Sequence, residues 1–252
     1  MVKQRRQEIL QRLSKENYVK ISDLAAAYSV SIVTMRKDIS EMEAEGTVIR
    51  YHGKVSLADL GPIPYSMRQD ENFIKKQLIA QKAAALIKSG DSVMLDAGTT
   101  TMLIAEQIQN REPINVITNS LSVADCLAKT SHYVTVLGGM LLAKSMCTVG
   151  PVTEGEIAAL ECEKLFLGCT GVRRTVGLTT GMVLEAMVKR AMISVAKEVI
   201  AVFDDSKFAQ AGINLFAELK QINTIITTKP KRRPPMLDAA EEMGIQILYA
   251  DE

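Results

Sequence analysis

Tryptophan is absent from this chain of 252 residues, and histidine occurs only twice. The four cysteines are Cys126, Cys147, Cys162 and Cys169. They show neither Cys-x-x-Cys spacing nor a nearby histidine cluster, so the sequence predicts no metal centre. We expect reduced thiols inside a cytosolic protein instead.

Long apolar runs are also missing. No segment approaches the roughly 20 consecutive apolar residues that a membrane-spanning helix requires. The N-terminus, Met1 to Arg6, leads into a polar amphipathic helix and not into a signal peptide. We therefore expect a cytoplasmic protein with no membrane partner.

The chain as a whole has almost no excess of positive or negative charge, because its formal net charge is only +1. Residues 1–58 nevertheless carry ten Lys and Arg against seven Asp and Glu, whereas the rest carries twenty against twenty-two. A basic excess favours contact with phosphates, so the first part is the candidate for nucleic-acid binding. Because the excess is small, we expect two or more copies to bind together.

Residues 22–52 have the pattern of a winged helix-turn-helix, which lays one helix in the major groove of DNA. Ser31 is a good N-cap for the second helix, Gly46 ends it, and Val48 and Ile49 begin a strand of the wing. Apolar residues three or four apart predict the buried faces of the helices: Ile21, Leu24, Ala25, Met35, Ile39 and Met42. The alternative is an ordinary three-helix packing unit.

Side chains outside these buried faces are the candidate DNA contacts. Cations, hydroxyls and a methyl-bearing side chain near a helix start can reach phosphates and base edges, and the wing can touch the DNA backbone. The predicted DNA-binding residues are Ser31, Ile32, Thr34, Arg36, Lys37, Arg50 and His52.

The segment contains four motifs in order: Arg5-Arg6-Gln7-Glu8-Ile9-Leu10, Leu24-Ala25, Val30-Ser31-Ile32-Val33-Thr34-Met35-Arg36-Lys37-Asp38 and Arg50-Tyr51-His52-Gly53. With these motifs it resembles the DNA-binding domain of the DeoR family of bacterial repressors. Two positions depart from the family pattern. Lys37 replaces an arginine, which keeps the charge but loses a bidentate fork. Lys54 stands where the family has a second glycine, and there it could add a phosphate contact.

A change of composition predicts a domain boundary. Residues 58–64 hold two prolines and one glycine, which break helices and suit a semi-rigid linker. Ser66 to Lys88 then has the pattern of one helix. We expect a DNA-binding domain over 1–58, a linker and the start of a connecting helix over 59–72, and an effector domain over 73–252.

The expected effector domain alternates apolar, β-rich runs with helical stretches. Strands are predicted at Val93–Leu95, Val116–Thr118, Tyr133–Leu137, Leu165–Gly168, Val199–Phe203, Thr224–Thr227 and Ile245–Tyr249. Because helices separate most of them, we predict an α/β domain with a mostly parallel sheet covered on both faces. In such sheets, ligands bind beyond the carboxyl ends of the strands.

The predicted strand ends are rich in glycine, hydroxyl and amide groups. Gly98 permits a tight turn into a helix whose free N–H groups can cradle an anion, although glycine and threonine are also ordinary turn and cap residues. Lys189 and Lys207 add cations, unless they are ordinary surface residues. The strand ends predict a site for a small polyhydroxylated anion, with candidate residues Asp96, Gly98, Thr99, Thr100, Thr101, Asn119, Ser120, Gly138, Gly139, Thr170, Lys189 and Lys207.

Further motifs follow in order: Asp96-Ala97-Gly98-Thr99-Thr100, Thr118-Asn119-Ser120, Leu137-Gly138-Gly139, Gly177-Leu178-Thr179-Thr180 and Asp205-Ser206-Lys207-Phe208. They resemble the C-terminal effector domain of the DeoR family, which is similar in fold to ribose-5-phosphate isomerase and coenzyme A transferase and binds phosphorylated sugars. The resemblance implies that the loop from Gly98 to Thr101 holds the phosphate. It also implies sugar contacts by Asn119, Gly138, Lys189 and Lys207. Thr170 stands where many members carry an acid, which implies a different hydroxyl pattern in the effector.

A sugar-phosphate isomerase is the rival class. Aldose–ketose isomerisation needs a positioned general base, and the isomerases of similar fold carry a cluster of acids after the strand equivalent to residues 165–168. Here that place holds Gly168 to Gly171 and no carboxylate, although Asp96, Asp204 and Asp205 follow other strands. A DNA-binding structural protein without an effector, the third class, leaves the strand-end hydroxyls unexplained.

We therefore expect a transcriptional repressor of a sugar-utilisation operon and not an enzyme. Its expected partners are double-stranded operator DNA, a small phosphorylated sugar and further copies of itself, as a dimer or a tetramer. No cofactor and no metal is expected. The effector is expected to release the protein from DNA, which requires that it bind the DNA-free form more tightly.

Overall fold

A computed structural model of the chain describes residues 2–16, 18–58 and 65–251, except for the side chain of Lys3. The chain forms two compact units, one up to Glu71 and one from Asn72 onward. Most of the proline-containing segment that we expect to be a linker, residues 59–64, lies outside the described residues, so the expected extents of the two domains stay predictions.

In the described residues, the first unit combines four helices with a small antiparallel sheet. Its elements are α1 (Val2–Leu13), β1 (Val19–Lys20), α2 (Ile21–Ala27), α3 (Ile32–Ala44), β2 (Val48–Tyr51), β3 (Lys54–Leu57) and α4 (Tyr65–Arg68). β3 pairs antiparallel with both β1 and β2. Leu24, Met35, Ile39 and Met42 are buried together, which confirms the predicted apolar faces of the helix-turn-helix.

The second unit alternates strands and helices. Its helices are α5 (Phe73–Ala85), α6 (Thr99–Ile108), α7 (Leu121–Leu127), α8 (Pro151–Ala158), α9 (Val183–Val195) and α10 (Pro235–Glu242). Its strands are β4 (Ser92–Leu95), β5 (Asn115–Thr118), β6 (Tyr133–Val136), β7 (Met140–Leu142), β8 (Cys147–Val149), β9 (Cys162–Leu167), β10 (Gly171–Arg173), β11 (Gly177–Thr180), β12 (Ala196–Val202), β13 (Asn214–Glu218), β14 (Thr224–Thr227) and β15 (Gln246–Tyr249). Among the described helices, none is both long and apolar enough to cross a bilayer.

A parallel sheet forms the centre of this unit. In the described residues it has seven strands in the order β15-β14-β12-β9-β4-β5-β6, and every neighbouring pair is parallel. Each of these strands overlaps one that the sequence predicts. The predicted α/β class with a parallel sheet is confirmed.

Helices cover both faces of the sheet. Val93 and Leu95 of β4 pack with α5 and α6, for example with Ile79 and Ile104. Met94, between them, belongs to the cluster on the opposite face. Successive side chains of a strand point to opposite faces, so β4 is apolar throughout because both of its faces are buried.

Smaller antiparallel elements were not predicted. β7 and β8 form a hairpin, and β10, β11 and β13 form a separate antiparallel sheet. α8 follows the hairpin directly and begins at Pro151, which suits the first turn of a helix because proline has no N–H to lose there.

The single helix expected from Ser66 to Lys88 is wrong. α4 ends at Arg68 and α5 begins only at Phe73. Between them Asn72 has a φ of 50° and a ψ of 32°, the left-handed conformation, which a continuous helix cannot contain. Its side-chain amide donates to Oδ1 of Asp204 at 3.0 Å and to Oγ of Ser206 at 3.3 Å. These long-range bonds stabilise the interruption between α4 and α5, and no local sequence pattern predicts them.

Candidate DNA-binding and effector sites

Helix α3 and the following hairpin expose every predicted DNA-binding residue: Ser31, Ile32, Thr34, Arg36, Lys37, Arg50 and His52. Oγ of Ser31 accepts the backbone N–H of Thr34 at 3.1 Å, which is the N-cap that the sequence predicts. The same oxygen lies 2.9 Å from Oγ1 of Thr34. The two hydroxyls are therefore bonded to each other while they face solvent.

Arg36 and Lys37 are the exposed cations of α3. Neither makes an ion pair with any residue that the structure describes. Asp38, the next residue, is buried and accepts a bond from Nε of Arg5 at 2.7 Å. The bond between Arg5 and Asp38 therefore joins α1 to the buried side of α3, while Arg36 and Lys37 stay on its exposed side.

Arg50 is held against α3 by its own contacts. Its Nη2 lies 3.4 Å from Oε2 of Glu43, and its Nη1 donates to Oγ of Ser40 at 3.3 Å. Because the Arg50 side chain is 40% exposed, these are surface contacts of small net strength. A phosphate oxygen can replace Glu43 as the partner of Arg50.

The hairpin between β2 and β3 turns at His52 and Gly53, which have φ values of 45° and 78°. Positive φ at both central residues is the geometry of a type I′ turn, which suits the twist of a two-residue hairpin. Nε2 of His52 lies 2.8 Å from Oε1 of Glu71, and the Tyr51 hydroxyl also bonds to Glu71. The tip of the wing is therefore fixed to a buried carboxylate.

Lys54 does not lie on the surface. It is 5% exposed, and its Nζ donates to Oδ2 of Asp70 at 2.8 Å and to the Ser66 carbonyl at 3.1 Å. The same Nζ lies 4.5 Å from the centre of the Tyr18 ring. The phosphate contact considered for Lys54 is wrong, because this ammonium is buried among partners of its own.

Val33 is the large apolar residue exposed on α3 that the sequence-based selection missed. It is 72% exposed, whereas Ile32, which was selected, is 43% exposed. The signal was present in the sequence. Val33 precedes the buried Met35 by two residues, which is about 200° around a helix, so it points away from the core.

In the second unit, five strand ends meet along one edge of the sheet. β12, β9, β4, β5 and β6 lie side by side in this order and are parallel, so their carboxyl ends share an edge. The segments that directly follow these strands, including the first turn of α6, carry all but one of the predicted effector residues. Lys189, the exception, lies on α9.

Lys189 and Asp96 form a buried ion pair at this edge. The same carboxylate oxygen of Asp96 accepts the N–H of Gly168 at 3.1 Å, and the ammonium donates to the Gly168 carbonyl at 3.1 Å. Nζ of Lys189 also lies 5.2 Å from the centre of the Phe216 ring. The pair ties the end of β4 to the end of β9 and to α9.

The loop after β4 leads into α6 without a side-chain cap. Gly98 is the N-cap residue, and Thr99 and Thr100 open the first turn. The Thr101 hydroxyl donates to the Asp96 carbonyl at 2.5 Å and lies 3.0 Å from the Gly98 carbonyl. Thr101 as a whole is fully buried, so its hydroxyl serves the loop and is not offered to a ligand. The first amides of α6 have no side-chain acceptor, which is the arrangement that binds anions.

Asn119 and Ser120 follow β5 and are both buried. The Asn119 side chain donates from Nδ2 to the Thr148 carbonyl at 2.8 Å, while its Oδ1 has no hydrogen-bond partner among the described residues. Ser120 caps α7 by accepting the Val123 N–H at 3.3 Å. Oδ1 of Asn119 therefore lacks a hydrogen-bond donor among the described residues, whereas the Ser120 hydroxyl is used to cap α7.

The two glycines after β6 are enclosed by α8. The N–H of Gly138 donates to Oε2 of Glu156 at 2.6 Å, and its carbonyl accepts the Thr153 hydroxyl at 2.6 Å. At Gly139 a Cβ atom would meet Oγ1 of Thr153 at 2.1 Å. Sequence reasoning missed α8 and with it Glu156, a carboxylate that competes with any ligand for the Gly138 amide.

Cys169 and Thr170 follow β9. Burial raises the pKa of the Cys169 thiol to about 12, while Lys207 and Lys189 lower it and Asp204 and Asp96 raise it. These four charged groups act on one thiol, so charges from the ends of β4 and β12 and from α9 come together around Cys169, which follows β9. Thr170 is exposed, and its N–H donates to the Thr179 carbonyl at 2.9 Å.

Lys207 lies on a 3-10 turn, Asp205–Ala209, after β12. Its Nζ lies 3.4 Å from Oε1 of Gln210. Asp205 anchors the turn, because its Oδ1 accepts a hydrogen bond from Nζ of Lys75 at 2.5 Å and one from the Thr228 hydroxyl at 2.7 Å. Together with the bonds of Asn72, these contacts set the position of Lys207, and sequence reasoning missed them because Asn72 and Lys75 are distant in the chain.

No group of three or more histidine, cysteine or acidic side chains suited to a metal ion occurs among the residues with described positions. The two histidines are engaged separately. His132 is buried, with its Nδ1 accepting the Ile114 N–H at 3.3 Å and its Nε2 lying 2.8 Å from the Ile108 carbonyl, so it has a structural role in the core.

The sequence pattern of the DeoR-like helix-turn-helix domain matches residues 5–59, and that of the DeoR C terminal sensor domain matches residues 71–229. The chain belongs to the DeoR family. It is a regulator with a DNA-binding helix-turn-helix and a sensor domain, and not an enzyme.

Two curated relatives support this membership over nearly the whole chain. YulB of Bacillus subtilis (strain 168), an uncharacterized HTH-type transcriptional regulator, is 33% identical over 98% of this chain and 96% of its own. The glycerol-3-phosphate regulon repressor of Escherichia coli (strain K12) is 27% identical over 92% of each chain. A putative aga operon transcriptional repressor of Escherichia coli O157:H7 also stands among the relatives of this chain.

Among solved structures, ribose 5-phosphate isomerase A of Methanocaldococcus jannaschii is similar to part of this chain. It is 19% identical and covers 55% of each chain, with a TM-score of 0.42. The assignment to the α/β class rests on the seven parallel strands described above.

Proposed function

We propose that this DeoR-family regulator represses a sugar-utilisation operon and that a phosphorylated sugar, bound at the strand ends, releases it from the operator. Two or more copies place α3 in successive half-sites. Arg36, Lys37 and Arg50 neutralise phosphates, while α3 reads the bases. The effector favours a DNA-free arrangement of the copies and therefore binds the DNA-free form more tightly.

The observation that carries the effector proposal is the start of α6. Its first amides have no side-chain acceptor, and an anion at a helix N-terminus accepts from such amides and gains from the helix dipole. Gly98 lets the loop pack closely on Thr101, since a Cβ atom at Gly98 would lie 3.3 Å from the Thr101 hydroxyl. A phosphate is the anion that this loop suits best.

A sugar hydroxyl suits Asn119. Oδ1 of Asn119 is buried without a partner among the described residues, and such an acceptor is destabilising until it is bonded. Asn119 follows β5 and Gly98 lies in the loop after β4, and these two strands are neighbours in the sheet. A molecule with a phosphate at one end and a hydroxyl donor a short distance away satisfies both groups.

The cations near the site support the same ligand. Lys189 and Lys207 lower the pKa of the Cys169 thiol and Asp204 and Asp96 raise it, so the site contains charges of both signs. Lys189 is bonded to Asp96 where β4 and β9 end, and we assign Lys207, at the end of β12, to the effector. We also expect this regulator to act in the cytoplasm, where operators and phosphorylated sugars occur together.

Two measurements test the proposal. A duplex is selected from random DNA by the wild-type protein, and its affinity is measured by fluorescence anisotropy with and without a panel of hexose phosphates, pentose phosphates and glycerol 3-phosphate. One phosphorylated sugar should weaken DNA binding, and its unphosphorylated parent should not. The same compound should raise the melting temperature of the free protein.

Variants separate the two sites. Arg36→Ala should weaken DNA binding and keep the melting shift with the active sugar phosphate, whereas Lys207→Ala should keep DNA binding and lose the response. Lys197→Ala, which removes an exposed lysine paired with Glu163, is the control and should change neither. If no compound in the panel shifts the melting temperature or the DNA affinity, the effector proposal fails.

A further inference from the structure

The outward face of α3 has an apolar centre. Val33 lies opposite the buried Met35, and Arg36, Lys37 and Ser40 follow Val33 by three, four and seven residues, which places them on the same face. At 72% exposed, Val33 projects further into solvent than Ile32, which lies at the flank. A helix that docks with Arg36 and Lys37 toward phosphates brings Val33 deepest into the groove.

The polar groups at the start of α3 are already bonded. Oγ of Ser31 accepts the Thr34 N–H and lies 2.9 Å from the Thr34 hydroxyl. Reading a base with either hydroxyl competes with this cap. The Val33 side chain makes no such contact, and its two methyl groups can reach the DNA without giving up a bond.

A valine can recognise only one feature of the major groove. Each base pair presents hydrogen-bond donors and acceptors there, but the 5-methyl group of thymine is the one apolar group. We propose that Val33 determines operator sequence by packing its methyl groups against the 5-methyl group of a thymine. The proposal rests on the proposed function, since it requires that α3 enter the major groove of an operator.

The test removes single methyl groups from the DNA. Each thymine of the selected duplex is replaced in turn by deoxyuracil, which keeps base pairing and removes only the 5-methyl group. Affinities are measured for the wild type, for Val33→Ala and for Ile213→Ala. Ile213 is the matched control, because it is a β-branched residue 80% exposed in the second unit.

For the wild type, we expect one thymine in each half-site at which replacement weakens binding about fourfold, the effect of exposing one buried methyl group. Val33→Ala should bind the thymine duplex more weakly and should bind the thymine and uracil duplexes equally. Ile213→Ala should behave as the wild type. The melting temperature of Val33→Ala should be unchanged, since the side chain is exposed.

The salt dependence separates base reading from phosphate contact. Val33→Ala should keep the slope of log affinity against log salt concentration, whereas Lys37→Ala should reduce that slope by about one. The proposal is overturned if no single thymine responds to replacement, or if Val33→Ala keeps the wild-type preference for thymine. If selection yields no preferred duplex, the proposed function itself fails and this inference with it.

Discussion

The ammonium group of Lys189 bonds to the carboxylate of Asp96, and both side chains are buried where β4 and β9 end. The bond joins residues from two distant parts of the chain. It also means that two residues selected as effector contacts already neutralise each other. Their bond stabilises the edge of the sheet from which the proposed effector loops extend.

Removing one charge of this pair should destabilise the fold. Lys189→Met keeps the length of the side chain but leaves Asp96 buried without its cation, and we expect the free energy of unfolding to fall by about 3–5 kcal/mol. Chemical denaturation measures this. Adding Asp96→Asn to the same chain should restore part of the loss, because an amide oxygen still accepts the Gly168 N–H.

The control for this pair is an exposed one. Lys197 and Glu163 lie 2.7 Å apart with side chains 62% and 45% exposed, so Lys197→Met should leave the denaturation midpoint almost unchanged. Equal losses from Lys189→Met and Lys197→Met would contradict a structural role for the buried pair.

Asn72 is expected to stabilise the second unit in two ways. It adopts the left-handed conformation, and its side chain bonds to Asp204 and Ser206. Asn72→Gly keeps the conformation and loses the bonds, whereas Asn72→Ala loses both, so stability should fall from wild type to Gly to Ala, with Ala about 1–3 kcal/mol below the wild type. Calorimetry of the full chain measures the order, and Ala at or above Gly would contradict it.

The fold of the second unit was predictable because its strands are continuous apolar runs. Val93 to Leu95 is apolar on both faces, which is typical of a strand between two helical layers. Helix α3 was predictable for a related reason, because its buried residues Met35, Ile39 and Met42 follow the helical period. Such patterns predict which side chains are buried, and the burial of apolar side chains is what each of these segments contributes to the fold.

The missed elements depend on partners far away in the sequence. α8 contains Gly155, which weakens a helical prediction, and its function is to place Thr153 and Glu156 against Gly138. The break at Asn72 depends on Asp204, and Lys54 is buried because Asp70 and Tyr18 surround it. In each case the decisive contact is tertiary, so local spacing carries no signal of it.

The carboxyl group of Asp91 should make stability sensitive to acid. Burial tends to raise its pKa, but the bond from Lys164 at 2.7 Å and the backbone N–H of Lys88 at 2.8 Å outweigh burial and leave the pKa below its usual value. The unfolded state therefore binds this proton more readily. Its contribution is present above the unfolded pKa of about 3.9 and is lost as pH falls through the lower folded pKa.

Asp91→Asn tests this sign. The variant should be less stable than the wild type at pH 6, and the difference should shrink toward pH 3, as measured by urea denaturation at each pH. Glu163→Gln, at an exposed position, should show little change at either pH. A deficit of Asp91→Asn that stays constant with pH would argue against a lowered pKa.

The thiol of Cys169 should be unreactive in the folded protein although it is only half-buried. With a pKa of about 12, about one thiol in ten thousand is ionised at pH 8, and the thiolate is the reactive form. Iodoacetamide should therefore label the Cys169 peptide slowly in native protein and rapidly in denaturant, as followed by mass spectrometry. Equal rates in the two conditions would place Cys169 in a different environment.

Lys54 and Lys37 should differ in what they do for DNA binding. Lys54 is surrounded by Asp70, the Ser66 carbonyl and the Tyr18 ring, so Lys54→Ala should lower the melting temperature of the first unit without changing the salt slope of DNA affinity. Lys37→Ala should leave the melting temperature unchanged and lower the slope by about one. Anisotropy titrations over a range of salt concentrations, at a temperature where both variants are folded, measure the slopes. A reduced slope for Lys54→Ala would mean that its ammonium leaves Asp70 and reaches a phosphate when the wing meets DNA.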